Sequence, residues 1–127
     1  MICVPEVEKG RYYTVQLVDM YTAKFGYIGS RATGNSAGCY MVAGPGWKGP
    51  LPHGIKKEFR SETEFVAIAV RTQLFGPSDL GNVRKVQAGY KAQTSRSFSA
   101  SRRLVRPQQL SSLRSTRNWP RPIRSPI

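Results

Sequence analysis

Acidic side chains are scarce here and unevenly placed. Seven Asp and Glu stand against 20 Lys and Arg, and none lies beyond Asp79. There is one histidine, His53, and there are two cysteines, Cys3 and Cys39. A metal centre needs several ligands at characteristic spacing, and these few residues supply no such pattern. A lone imidazole and two aspartates, Asp19 and Asp79, define no nucleophile–base–acid set, so no catalytic residues are assigned and enzyme activity is not expected. His53 reads as a loop or surface residue. The longest apolar run, Phe65–Val70, is six residues. That is far short of the roughly 18 needed to cross a bilayer as a helix. Met1–Pro5 has no basic segment followed by an apolar one, so no secretory leader is visible. If this is the true start, the default expectation is the cytoplasm.

What is present supports one folded domain at most: 127 residues, 39% hydrophobic and 10% aromatic. A net charge of +13 and a pI near 10.5 would ordinarily suggest nucleic acid or an anionic surface as partner. The charge is not spread evenly. Residues 1–90 hold 11 basic and seven acidic residues, whereas residues 91–127 hold nine basic and none acidic. The front part therefore has the surface balance of an ordinary soluble domain. The two cysteines can pair, but connectivity is not readable without geometry. The simpler reading is two free thiols, at least one buried as a small hydrophobe.

Along the chain, Tyr12–Tyr21 alternates as a strand, with Tyr13, Val15 and Leu17 on one face. Lys24–Ile28 reads as a second strand and Gly29–Gly38 as a glycine-rich loop. Cys39–Ala43 is apolar on both sides, which predicts a central strand. After a Pro/Gly-rich loop, Ile55–Arg60 alternates again. Phe65–Val70 fits a buried strand or a helix, and its β-branched residues favour the strand. Gly76–Asp79 reads as a helix start with Ser78 or Asp79 as N-cap, followed by Leu80, Val83, Val86 and Tyr90 at helical spacing. The expected fold is mainly β: a partial, jelly-roll-like β-sandwich of about five strands with one short helix.

After Lys91 the composition changes. Residues 92–127 hold eight Arg, eight Ser and four Pro, with one Phe and one Trp. Such a segment buries too little apolar area to offset its ordering entropy, so a disordered tail is expected. Arg/Ser-rich disorder suits non-specific nucleic-acid binding. The preferred reading is different. Coding DNA of high G+C content read out of frame yields peptide of this composition.

Two glycine motifs carry little. Gly44-Pro45-Gly46-Trp47-Lys48-Gly49 matches G-x-G-x-x-G, but Pro50 and Pro52 follow and no helix begins. A stiffened turn with Trp47 packed over the sheet is expected instead. Gly29–Ser36 is similar to a phosphate loop, but Asn35 stands where the lysine belongs. Asp19 interrupts an apolar strand. A buried carboxylate there needs a partner, and an ion pair with Arg31 or Arg71 is expected.

A family resemblance rests on ordered motifs. They are Val4-Pro5, Gly10-Arg11-Tyr12-Tyr13, Gln16–Thr22, Tyr27-Ile28-Gly29, Arg31–Gly34 and Ala37-Gly38. They continue through Val42–Gly49, Arg60-Ser61, Arg71–Phe75 and Val86–Tyr90. Over residues 3–91 the chain resembles the bacterial domain-of-unknown-function 1254 family. The resemblance implies a jelly-roll-type sandwich, usually paired with a second β domain of the 1214 family. It implies no assigned activity and no cofactor. It also implies relatives that are often exported, and a small polar or carbohydrate ligand by fold analogy. Residues that match its motifs, Arg11, Tyr13, Asp19, Arg31, Trp47 and Lys48, are the ligand-binding candidates. Relatives have a long part before the Val-Pro segment, and after Lys91 this chain departs from the family's pattern, which the Arg/Ser-rich segment replaces. The division expected is thus a partial sandwich over residues 1–91 and a tail over residues 92–127, a truncated piece of a larger protein. Open strand edges left by missing strands predict self-association.

Overall fold

The computed structural model describes residues 1–104. Its strands are β1 (Ile2–Val4), β2 (Tyr13–Asp19), β3 (Lys24–Gly29), β4 (Gly38–Ala43), β5 (Ile55–Arg60), β6 (Val66–Thr72) and β7 (Lys91–Ala92). A helix α1 (Leu80–Ala88) follows a 3-10 turn at Pro77–Asp79, and α2 spans Ser95–Leu104. The strands form two sheets, ordered β5-β4-β1-β7 and β3-β2-β6. All pairings are antiparallel except β4 with β5, which is parallel across the long 44–54 connection.

Strand periodicity builds the core between the sheets. Tyr13, Val15 and Leu17 alternate inward along β2 and are fully buried. Ile28 joins them from β3, and Ile2, Val4, Tyr40 and Phe59 meet them from the other sheet. Removing such a side chain from water contributes about 1.5–3 kcal/mol each. Helix α1 closes one end of the sandwich: Val83 is buried, and Val86 and Tyr90 pack against the core. Tyr90 also shares a hydrogen bond with Thr72 at 2.9 Å.

Strand β4 is central, as its two-sided apolarity predicts. Tyr40 and Val42 face the inter-sheet core. Met41 and Ala43 belong to a second cluster on the outer face, with Ile55 and Phe98 of α2. Phe98 is 6% exposed. A second helix thus joins the expected short one, and it lies where the charge and composition change. Arg102 of α2 donates to the His53 carbonyl at 2.5 Å. The rest of the Arg/Ser-rich segment, residues 105–127, lies outside the described residues.

Two sequence expectations are corrected. Cys3 and Cys39 are not free thiols. They stand opposite each other on β1 and β4 and form a disulfide. Alternation points both outward, under α2, where sequence spacing alone gave no sign that they meet. Asp19 is buried as expected, but it has no arginine partner among the described residues. Its Oδ1 accepts the backbone N–H groups of Tyr21 and Ala23, both at 2.9 Å. The carboxylate therefore ties the β2–β3 turn, in which Thr22 adopts a φ of 64°. Arg71 instead donates to Gln16 Oε1 at 3.0 Å.

Candidate functional site

The glycine-rich loop after β3 is held from within. The amides of Ala32, Thr33 and Gly34 all donate to the Gly29 carbonyl at 2.8–3.0 Å. Those N–H groups are used internally and cannot cradle a phosphate, which removes the phosphate-loop reading. Gly29 itself has a φ of +144°. A Cβ there would collide with the Tyr13 carbonyl oxygen, so only glycine fits. Ser30 Oγ accepts from the Tyr13 amide at 3.1 Å and donates to the Arg11 carbonyl at 3.2 Å. Asn35 Nδ2 donates to the Glu8 and Arg11 carbonyls at 2.7 and 3.0 Å. The loop is thereby clamped to the start of β2.

Arg11 anchors the same region from the other side. It is 2% exposed. Its guanidinium makes a bidentate pair with Asp79 at 2.6 and 2.8 Å. It also donates to Glu8 Oε1 and to the Gln73 carbonyl, both at 2.6 Å, and lies 4.8 Å from the Phe75 ring centroid. Asp79 occupies the N-cap position of α1, yet its side chain caps no helix amide. It accepts from Arg11, from Asn82 Nδ2 and from the Phe75 amide. The Arg11 bonds, then the Asn82 amide, hold the Asp79 carboxyl well below the usual carboxylate range. Asp79 in turn holds the guanidinium above its ordinary value. Arg11 is therefore a structural clamp between β2 and α1 rather than a ligand-facing group.

Between β2 and β3 the surface opens into a cavity of about 300 Å³. Tyr12, Tyr27 and Arg31 line it; Tyr13 and Ile28 border it, but both are fully buried and expose nothing to it. Tyr12, Tyr27 and Arg31 are exposed, and the Arg31 guanidinium sits 5.5 Å from the Tyr12 ring centroid. Among the described residues Arg31 has no carboxylate partner. Tyr13 is spent inward: its hydroxyl donates to the Gly34 carbonyl at 3.1 Å, and burial raises its pKa.

The other candidates lie elsewhere. Gly44–Gly49 is a turn, with the Trp47 amide on the Gly44 carbonyl at 3.2 Å, and no helix follows it. The Trp47 ring packs beside the Met41–Phe98 cluster, and its buried Nε1–H has no acceptor among the described residues. Lys48 is exposed. Of the six candidates, then, the structure opens only Arg31 to this cavity, buries Arg11, Tyr13 and Asp19, and leaves Trp47 and Lys48 on the other sheet's loop. Tyr12 and Tyr27 were not singled out from sequence. The available signal was that both break alternation by placing a large aromatic on the outward face. Among the described residues no cluster of His, Cys, Asp and Glu could hold a metal ion, and no helix is long and apolar enough to cross a membrane.

A two-sheet sandwich of this strand order, with a buried Arg–Asp clamp and a glycine-locked loop, defines a β-sandwich domain without a recognised catalytic signature. The model of the "Protein of unknown function (DUF1254)" family matches residues 1–94, and the chain belongs to that family. The crystal structure of the VPA0106 protein from Vibrio parahaemolyticus has the same fold, with a TM-score of 0.74 at 19% identity. The match covers 99% of this chain and 28% of that one, so this chain spans little more than a quarter of the solved protein's length. No curated protein matches the sequence.

Proposed function

We propose that this domain is a recognition module for a small ligand that combines a flat face with an anionic group, such as a uronic acid sugar. The observation that carries the proposal is the Arg31 guanidinium, free of carboxylate partners among the described residues, at a cavity rimmed by Tyr12 and Tyr27. Aromatic faces pack against the apolar side of a sugar ring, and a guanidinium pairs a carboxylate through two parallel bonds. A locked loop and a rigid sheet position these groups with little reorganisation on binding.

Saturation-transfer NMR with D-glucuronate and D-glucose tests this. Trp47 lies outside the cavity, so indole fluorescence is not the appropriate readout. Glucuronate is expected to receive saturation and glucose to receive far less. Arg31→Gln should weaken glucuronate binding about tenfold or more, the effect of losing a charge-assisted bond. Equal transfer to both sugars, or none to either at millimolar concentration, sinks the proposal.

A further inference from the structure

Strand β6 pairs with β2 along one edge and with no strand along the other among the described residues. Its inward side chains continue the core pattern of β2. Val70 stands opposite Val15, and Ile68 stands opposite Leu17. Val15 and Leu17 are fully buried, yet Ile68 is 43% exposed and Val70 45%. The four-stranded sheet does not reach over this edge, and an apolar stripe is left open beside an unpaired backbone ladder.

Natural edge strands are usually blunted by charged side chains, a proline or a bulge. The one charge in β6 is Arg71 near its C-terminal end, and Phe65–Val70 holds no charge and no proline. The pairing of β6 with β2 is regular throughout, whereas β2 with β3 carries a register shift. The first five residues of the strand also read as a palindrome, Val66-Ala67-Ile68-Ala69-Val70. A two-fold axis at Ile68, with the two strands antiparallel, sets Ile68 against its own copy. Each Val66 then meets the other copy's Val70, and each Ala67 meets Ala69. Paired residues keep to the same face, so the two open stripes become one.

The flanks agree with this register. Phe65 falls opposite the other copy's Arg71 on the outer face, in reach of a cation–π contact. In this register Glu64 falls opposite the other copy's Thr72, next to its single basic residue Arg71, whereas a parallel arrangement would set Glu64 near Glu64 and Arg71 near Arg71. A one-residue slip would send the apolar stripe to the wrong face, and a two-residue slip would break the palindromic matches. An isologous contact of this kind closes after two copies.

We propose that β6 is a homodimerisation edge, joining two copies of this chain antiparallel about Ile68 into one six-stranded sheet, β3-β2-β6-β6-β2-β3. The test uses the full chain in sedimentation velocity over a range of concentrations. A monomer–dimer equilibrium is expected, and Ile68→Lys should raise the dimer dissociation constant at least tenfold. Far-UV circular dichroism and a cooperative melt of that variant confirm that it remains folded. A second variant does not depend on weakening the contact. Directly opposed residues in an antiparallel pair lie within disulfide range. Ile68→Cys should therefore give a covalent dimer on mild oxidation, while Lys85→Cys on the exposed face of α1 gives little. A chain that stays monomeric at high concentration, a ladder beyond the dimer, or equal cross-linking by the two cysteine variants overturns the proposal. So does capture of the edge by a strand from another part of a longer chain.

Discussion

Replacing both bridged cysteines by alanine, Cys3→Ala with Cys39→Ala, isolates the contribution of the disulfide. The bond closes a loop between residues 36 apart in sequence. In the chain-entropy treatment a loop of that length restricts the unfolded ensemble by about 4 kcal/mol. Both positions are only half-buried at the rim of the outer cluster, so alanine loses little packing there. A domain of this size has a total stability of about 5–15 kcal/mol, so the bridge is a large share of it. Each kcal/mol moves the melting temperature of a domain near 100 residues by about 4–8 °C, and the double variant should melt about 15–30 °C lower. Thermal unfolding followed by circular dichroism, with oxidised wild type, reduced wild type and the double variant side by side, reads this directly. Reduced wild type and the double variant should coincide. If all three melt within about 5 °C, or if a thiol titration of the denatured, unreduced chain finds two free cysteines, the reasoning fails. The same quantity ties the fold to its surroundings. Disulfides persist in oxidising compartments and are reduced in a typical cytosol, where this chain would forfeit the stabilisation.

Two further outcomes follow from the clamp and from α2. The Asp79 carboxyl is held below its unfolded value, which lies near pH 3.9, so its contribution to stability is full above that pH and fades as the pH falls below it. The urea midpoint of the wild type should therefore drop on acidification below about pH 4, and Asp79→Asn should show a flatter profile from a lower starting point. An unchanged profile in that variant would remove the pair as the cause. Phe98→Ala should cost about 3–5 kcal/mol, the usual loss for a buried phenylalanine, in chemical unfolding. A loss below about 1 kcal/mol would mean that α2 does not pack on the outer face.

The legible parts of the fold were those governed by short periodicities. Alternation along β2 assigned its inner face correctly because Tyr13, Val15 and Leu17 are all core residues, with only Asp19 at the end of the row departing from the pattern. Glycine and proline marked the turns on either side of β4 and before α1 for the same local reason. Partner choice was not legible. Asp19 reads as an interruption that calls for an arginine, and two backbone amides of its own turn serve it instead. Asp79 reads as a helix cap, and its carboxylate turns away to Arg11, 68 residues distant in sequence. In both cases the sequence marks the carboxylate and not its partner, because short polar side chains accept local and distant donors equally well. The cavity suffered similarly: Arg31 and Tyr13 were named, but Tyr12 and Tyr27 became visible only once β2 and β3 were paired.

The segment after Lys91 shows why composition is a poor guide to where packing ends. One phenylalanine among serines and arginines carries no periodicity, and average hydropathy points to disorder. Yet β4 required a second cover. A strand with Tyr40 and Val42 on one face and Met41 and Ala43 on the other cannot lie at the surface of a two-layer sandwich without exposing one set. The need for a cap was therefore written in β4 and not in the cap. Phe98 meets it because a single large side chain, clustered with Met41, Ala43 and Ile55, is enough to close a small face when most of the helix is polar. The same reasoning applies to β6 and returns a different answer. Ile68 and Val70 form an apolar stripe that no described element covers, and the palindromic order of the strand beside its open edge is the argument for pairing that edge with a second copy.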